Sequence, residues 1–193
     1  MRMGEPVLYI NACVRNDSRT AYLAEKLLEK LGSPYDEVRL TDVSFPLADE
    51  AFLLQRDRLI AQRRFTEPMF ALAQQFAKAQ TIVVAAPYWD LSFPAALKQY
   101  FEQINVLGIT FKYTEQGTPQ GLCRAEKLFY VMTAGGCYVP QEFGFGYVKA
   151  LAQGFYGISD VRLIKAAGLD IVGADEQAII AAAESEIACM KVD

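Results

Sequence analysis

Three short stretches of this chain carry residues able to do chemistry, and each follows an apolar run. Ser18-Arg19-Thr20 sets two hydroxyls and a guanidinium where an amphipathic pattern begins. The first N–H groups of a helix lack intrahelical partners and the helix dipole is positive there, so an anion such as a phosphate fits this loop. Ser18 is equally a preferred N-cap, a role it fills whatever surrounds it. Pro87-Tyr88-Trp89-Asp90-Leu91 offers two aromatic faces and a carboxylate just past the run Thr81 to Ala86. A flat ring packs on such faces, and the same side chains would also serve to cover the end of a core. Thr133-Ala134-Gly135-Gly136 closes a third apolar run. Its two glycines permit close approach of backbone to a ligand, or make only a tight turn.

Much other chemistry is excluded. The chain has no histidine, and Cys13, Cys123, Cys137 and Cys189 are scattered without a C-x-x-C pair. Neither a zinc site of usual spacing nor a Cys-His or Ser-His nucleophile can be assembled, and no metal is expected. The cysteines read as buried thiols in a reducing compartment, with Cys13 and Cys137 falling in the site loops. There is no G-x-G-x-x-G and no G-x-x-x-x-G-K-[ST], so neither dinucleotide fingerprint nor P-loop is present. A net charge of −4 supplies no basic stripe for nucleic acid. The apolar runs fall far short of the roughly 20 residues that span a bilayer. Met1 to Pro6 lacks the apolar core of a signal peptide, and the expected location is the cytoplasm.

The elements that must position these loops follow from periodicity. At 193 residues and 52% hydrophobic composition, one compact domain over 1–193 is expected. Val7 to Asn11 reads as a strand, and Ser18 or Arg19 to Leu31 as a helix with Leu23, Leu27, Leu28 and Leu31 on one stripe. Tyr35 to Leu40 reads as an edge strand carrying charges, and Thr41 to Arg64 as a connection with irregular helix. A helix from Thr66 to Ala79 leads into the strand Thr81 to Ala86, whose near-continuous apolar character marks burial on both faces. Pro94 to Ile104 reads as a helix, Gly108 to Tyr113 as a hairpin arm, and Lys127 to Thr133 as the fourth strand. Gly146 to Phe155, Val161 to Ala167 and Ala174 to Met190 read as helix, strand and helix. This alternation, with right-handed crossovers, predicts an α/β three-layer sandwich around a five-stranded parallel sheet of order 2-1-3-4-5. In that order the loops after the first, third and fourth strands gather beside the switch point.

With those loops in place, the chain resembles the flavodoxin-like FMN-dependent NAD(P)H oxidoreductases, most closely the NADH-azoreductase and quinone-reductase branch. The resemblance covers nearly the whole chain. It rests on Val7 to Asn11 with Ser18-Arg19-Thr20, on Ala85 to Leu91 followed by Leu97 to Phe101, on Gly108 to Thr114, and on Gly117, Gly121-Leu122 and Thr133 to Gly136. It implies a flavodoxin-like fold and FMN as cofactor, with NADH or NADPH as electron donor. Ser18, Arg19 and Thr20 would hold the phosphate, with Ala12 in the same loop. Pro87, Tyr88, Trp89, Asp90 and Leu91 would border the isoalloxazine, and Thr133, Ala134, Gly135 and Gly136 would close over its pyrimidine side.

The implied reaction is a ping-pong transfer of hydride from the nicotinamide, through flavin N5, to a quinone or azo compound, in a homodimer. Protons would come from solvent or from a tyrosine such as Tyr138. The family usually carries Met-Tyr-Asn-Phe where this chain has Tyr88-Trp89-Asp90-Leu91, and serines where it has Ala12 and Cys13. A carboxylate at Asp90 would disfavour an anionic reduced flavin if the side chain faces the ring. Two other readings follow from these departures: a flavodoxin-like FMN-binding or regulatory protein without turnover, and an NAD(P)H-dependent FMN reductase. For the partner contact, Ala51 to Phe65 and Phe143 to Phe155 carry the aromatic and apolar content.

Overall fold

A strand covered on both faces has no polar side to present, and three apolar runs of this sequence become the centre of one sheet. The computed structural model describes residues 7–192; Met1 to Pro6, read above as lacking a leader's apolar core, lie outside them. Along the chain run β1 (Val7–Asn11), α1 (Arg19–Leu31), β2 (Tyr35–Arg39), α2 (Glu50–Ala61), α3 (Ala71–Lys78), β3 (Thr81–Ala85), α4 (Ala95–Ile104), β4 (Phe111–Tyr113), β5 (Pro119–Gly121), β6 (Lys127–Ala134), α5 (Phe145–Leu151), β7 (Asp160–Ala167) and α6 (Glu176–Cys189). The main sheet is parallel with order β2-β1-β3-β6-β7, while β4 and β5 form a separate antiparallel arm. With the arm strands left out of the count, this is the predicted order 2-1-3-4-5.

The side-chain period of two divides the core between the sheet's faces. Leu8, Ile10, Ile82, Val84, Leu128 and Tyr130 pack against buried residues of α3, α4 and α5. Val7, Tyr9, Val83, Ala85, Phe129 and Val131 pack against Leu23, Leu27 and Leu28 of α1 and Ala183 and Ile187 of α6. At the edge, β2 buries only Val38 and leaves its charges in water, as expected for a strand paired on one side.

Three elements differ from the sequence reading. Within the supposed irregular connection lies a regular twelve-residue helix, α2, capped by Asp49, whose carboxylate accepts from Phe52 N at 2.9 Å. It buries only Leu59, so it shows no apolar stripe. Where one helix was expected from Thr66, Pro68 to Phe70 forms a 3₁₀ turn and α3 begins at Ala71. The cause is local, because the residue before a proline is pushed out of the α region, and Glu67 is extended with ψ of 144°. Finally, α5 passes into a π-helical turn, Ala152–Tyr156, that ends at the left-handed Gly157.

That π turn is the seat of the arm. A Cβ on Gly121, the last residue of β5, would fall inside the van der Waals shell of the Tyr156 carbonyl and the Gly157 nitrogen. The arm therefore approaches the turn backbone to backbone, a distance only glycine permits. Gly121→Ala should lower the unfolding free energy by about 2–3 kcal/mol, near the upper end of overpacking costs because backbone must move. Urea unfolding measures this, and an unchanged midpoint would mean that the arm is not held at this contact.

Candidate functional site

The first wall of the site is built by the end of β1. Asn11 is buried and uses both ends of its amide: Nδ2 donates to Glu37 Oε1 at 2.8 Å and Oδ1 accepts from Cys13 N at 2.9 Å. Ala12 N donates to the Ala85 carbonyl at 2.9 Å, extending the ladder by one bond, so Ala12 and Cys13 lie beneath the loop. Burial pushes the Cys13 thiol's pKa up, against a smaller opposing effect of a hydrogen bond with Ser18. Ser18 then caps α1, its hydroxyl accepting from Ala21 N at 3.3 Å and its carbonyl from Tyr22 N at 3.0 Å. The N–H groups of Arg19 and Thr20 are left for an anion, at the positive end of the helix.

The second wall follows β3. Tyr88 N donates to the Thr133 carbonyl at 2.9 Å, and Trp89 and Ser92 exchange backbone bonds of 3.1 and 2.7 Å. Between them Asp90 and Leu91 both hold positive φ, 50° and 69°. Positive φ at both central residues is the signature of a type I′ turn, which usually takes Asn-Gly, so this turn is strained. The Tyr88 hydroxyl donates to the Pro140 carbonyl at 3.2 Å and Ser92 Oγ to the Phe143 carbonyl at 3.0 Å, tying this loop to the one after β6.

The third wall is the end of β6 with the loop after β7. Asp170 N donates to the Gly135 carbonyl at 3.0 Å and Gly168 N to the Gly136 carbonyl at 3.0 Å. A Cβ on Gly135 would fall on the Asp170 carboxylate, so a larger residue there would push that side chain aside where the two loops touch. Across the floor, Thr20 and Thr133 share a hydroxyl hydrogen bond of 2.6 Å, buried between α1 and β6.

These walls enclose a cleft of about 370 Å³. Ser18, Arg19, Thr20, Pro87, Tyr88, Trp89, Thr133 and Gly135, all named from sequence, line it together. Ala12 and Ala134 are buried below it, while Asp90 and Leu91 stand exposed at the turn's tip and Gly136 is exposed beyond the rim. Tyr138 is not among the lining residues and is 80% exposed. Val14, Arg15 and Asp17, of the loop after β1, line the cleft without having been singled out, and Asp170 and Glu176 come from beyond the three loops that the sequence reading brought together. Arg19 Nη2 donates to Asp170 Oδ1 at 2.9 Å, and Nη1 lies 3.4 Å from Glu176 Oε1. Partial burial pulls the Arg19 pKa down, but the hydrogen bonds and charges of the two carboxylates outweigh it, and the net shift is upward.

A larger groove, about 950 Å³, runs along α1 and α6 and shares Asp17, Ser18, Arg19 and Glu176 with the cleft. Its walls are helix faces rather than strand ends, with Glu25, Asp175, Glu176 and Glu184 among them. In open α/β sheets ligands sit outside the strands' carboxyl ends, which makes the smaller cleft the candidate site. Among the described residues no cluster of three or more His, Cys, Asp or Glu is placed to hold a metal ion. No helix there is long and apolar enough to cross a membrane. What the cleft can accept is an elongated ligand, anionic at the α1 end and flat at the Trp89 end.

The threonine pair makes a double-mutant test. Thr20→Val or Thr133→Val alone leaves one hydroxyl buried without its partner and should cost about 1–2 kcal/mol. The double variant should cost less than the two single costs combined, because no hydroxyl is then stranded. Denaturant unfolding reads the cycle, and strict additivity would show the two hydroxyls to be independent.

The geometry agrees with comparisons across known proteins. The family model described as the flavodoxin-like fold matches residues 5–189. Over 183 residues the chain is 38% identical to the FMN-dependent NADH:quinone oxidoreductase of Lachnoclostridium phytofermentans, covering 89% of this chain and 90% of that one. It is also 38% identical over 188 residues to FMN-dependent NADH:quinone oxidoreductase 2 of Clostridium acetobutylicum, covering 90% and 92%. Among solved structures, an FMN-dependent NADH-azoreductase from Bacillus anthracis in complex with FMN is similar with a TM-score of 0.77 at 25% identity, over 95% and 96% of the two chains. A sheet of order β2-β1-β3-β6-β7, a cleft at its switch point and a match over almost the whole length make this chain a member of the flavodoxin-like fold family.

Proposed function

We propose that this protein is an FMN-dependent oxidoreductase that passes electrons from NADH or NADPH to a quinone or azo compound. The observation that carries the reading is one cleft that joins the free N–H groups at the start of α1 to the aromatic rim of Tyr88 and Trp89. The relatives named above, FMN-dependent NADH:quinone oxidoreductases, support it and favour NADH.

The residues present fit FMN. Arg19 and Thr20 N–H groups with the Ser18 hydroxyl would hold the phosphate, a task suited to a helix N-terminus. Gly135, on the cleft wall, would border the ring, and Trp89, 41% exposed, would flank it. When bound, FMN supplies the two-electron redox chemistry that no side chain of the cleft provides. The protein's part is to orient a flat donor or acceptor between Trp89 and the ring edge and to exclude water at that face. Tyr88 is an unsuitable acid: burial, then the nearby Tyr138 and Glu142, push its pKa up, and its hydroxyl is engaged by Pro140. Protons then enter from solvent at the open mouth, beside Tyr138. Because one slot serves both substrates, donor and acceptor take turns.

A second copy of the chain would complete the slot. Within the segments expected to meet a partner, Phe65 packs on Phe70 and Phe155 on Phe111 inside the same chain. The apolar side chains left exposed there include Leu53 and Leu54 of α2 and Phe143 of the rim. Light scattering should report a homodimer, and Leu54→Glu should shift it toward monomer. A wild-type monomer at micromolar concentration would end the shared-slot proposal.

For the chemistry, protein mixed with FMN and desalted should remain yellow, bleach with anaerobic NADH and recover colour on addition of a quinone. Initial rates should give parallel double-reciprocal lines. Ser18→Ala, which removes the one side-chain hydroxyl assigned to the phosphate, should weaken FMN binding about tenfold, as loss of a hydrogen bond to a charged group does. Flavin that is retained but never bleached would sink the oxidoreductase reading.

A further inference from the structure

A site for a phosphate dianion ordinarily gathers cations, yet the cleft carries two arginines, Arg15 and Arg19, against three carboxylates, Asp17, Asp170 and Glu176. The cation nearest the free N–H groups of α1 is already engaged, since Arg19 Nη2 bonds Asp170 and Nη1 faces Glu176. That pairing has little to do with holding the fold. The Arg19 side chain is 30% exposed and that of Asp170 65%, and exposed ion pairs of this kind contribute little to stability. The residue that carries the carboxylate is nonetheless anchored through its main chain. Its backbone N–H bonds the Gly135 carbonyl, and its side chain fills the space where Gly135 would carry a Cβ. Asp170 thus stands between the wall proposed to meet the flavin ring and the helix end proposed to meet the phosphate.

We propose that Asp170, supported by Glu176, competes with the flavin phosphate for Arg19 and so sets how strongly the cleft prefers FMN to unphosphorylated riboflavin. The proposal rests on the reading of this cleft as the FMN site. A phosphate arriving at α1 must either displace the Asp170 carboxylate from Arg19 or lie beside it, and like charges at close range repel. Riboflavin, which has no phosphate, meets neither obstacle. Asp170 is therefore a specificity-determining residue that narrows the advantage of FMN and keeps the bound cofactor exchangeable.

The test is a titration of the full-length apoprotein with FMN and, separately, with riboflavin, followed by flavin fluorescence. Asp170→Asn keeps the side chain's shape and its backbone bond to Gly135 while removing the charge. The FMN Kd should fall about three- to tenfold, with the riboflavin Kd unchanged, the size expected from freeing an exposed ion pair and removing one nearby like charge. Glu176→Gln, at the exposed start of α6, should shift FMN alone in the same direction by less, and it carries the test if the Asp170 variant misfolds. Equal shifts for both flavins would reveal a merely structural effect and overturn the proposal. Weaker FMN binding in Asp170→Asn would overturn it too, because Asp170 would then be orienting Arg19 toward the phosphate. Wild-type protein that binds neither flavin would bring down the FMN reading and this proposal together, whereas failure in the variants alone leaves the FMN reading standing.

Discussion

The cleft exists because neighbouring strands send their chains to opposite faces of one sheet. β1 and β3 pair in parallel, yet α1 packs on one face with Val7 and Tyr9 while α4 packs on the other with Leu8 and Ile10. Their loops must diverge, and a crevice opens between them at the carboxyl edge. Burial of both faces is what enforces the arrangement. With β1 and β3 covered above and below, a shift of register by one residue would turn each apolar set toward the wrong helix layer. The positions of Ser18, Pro87 and Thr133 are therefore consequences of packing far from any ligand.

Within that crevice the contacts divide between rigid and exchangeable. The buried Thr20–Thr133 bond and the ladder extension at Ala12 anchor the floor in low dielectric, where a polar pair must remain matched. Around the mouth, Arg19, Asp170 and Glu176 form exposed ion pairs that cost little to rearrange. A scaffold of this kind holds a ligand's position through its floor while leaving its charge balance adjustable through its rim.

How much of this was legible in the sequence depended on whether the signal was local. β1, β3 and β6 announced themselves, since strands buried on both faces have nothing polar to interrupt the run. Ser18 marked a helix start by residue type, and its side chain does cap, accepting from Ala21 N. α2 escaped because periodicity detects burial, and a helix that buries only Leu59 leaves no stripe; Asp49 before Glu50 was the available clue. Asp170 and Glu176 escaped for a different reason. Asp170 meets Arg19 across 151 residues of chain, from the strand farthest from the switch point, and no spacing in the sequence encodes such a meeting.

The cross-ties between the loops after β3 and β6 have an evolutionary consequence. Tyr88 and Ser92 both bond to main-chain carbonyls, those of Pro140 and Phe143, so the framework of the rim is fixed by bonds in which Trp89, Leu91, Tyr138 and Phe143 take no side-chain part. Those four side chains are all exposed. Mutation can therefore sample them at little cost to folding, and the range of molecules admitted at the mouth can change while the buried floor beneath is left undisturbed. Adaptability here is built from a rigid frame carrying replaceable surfaces.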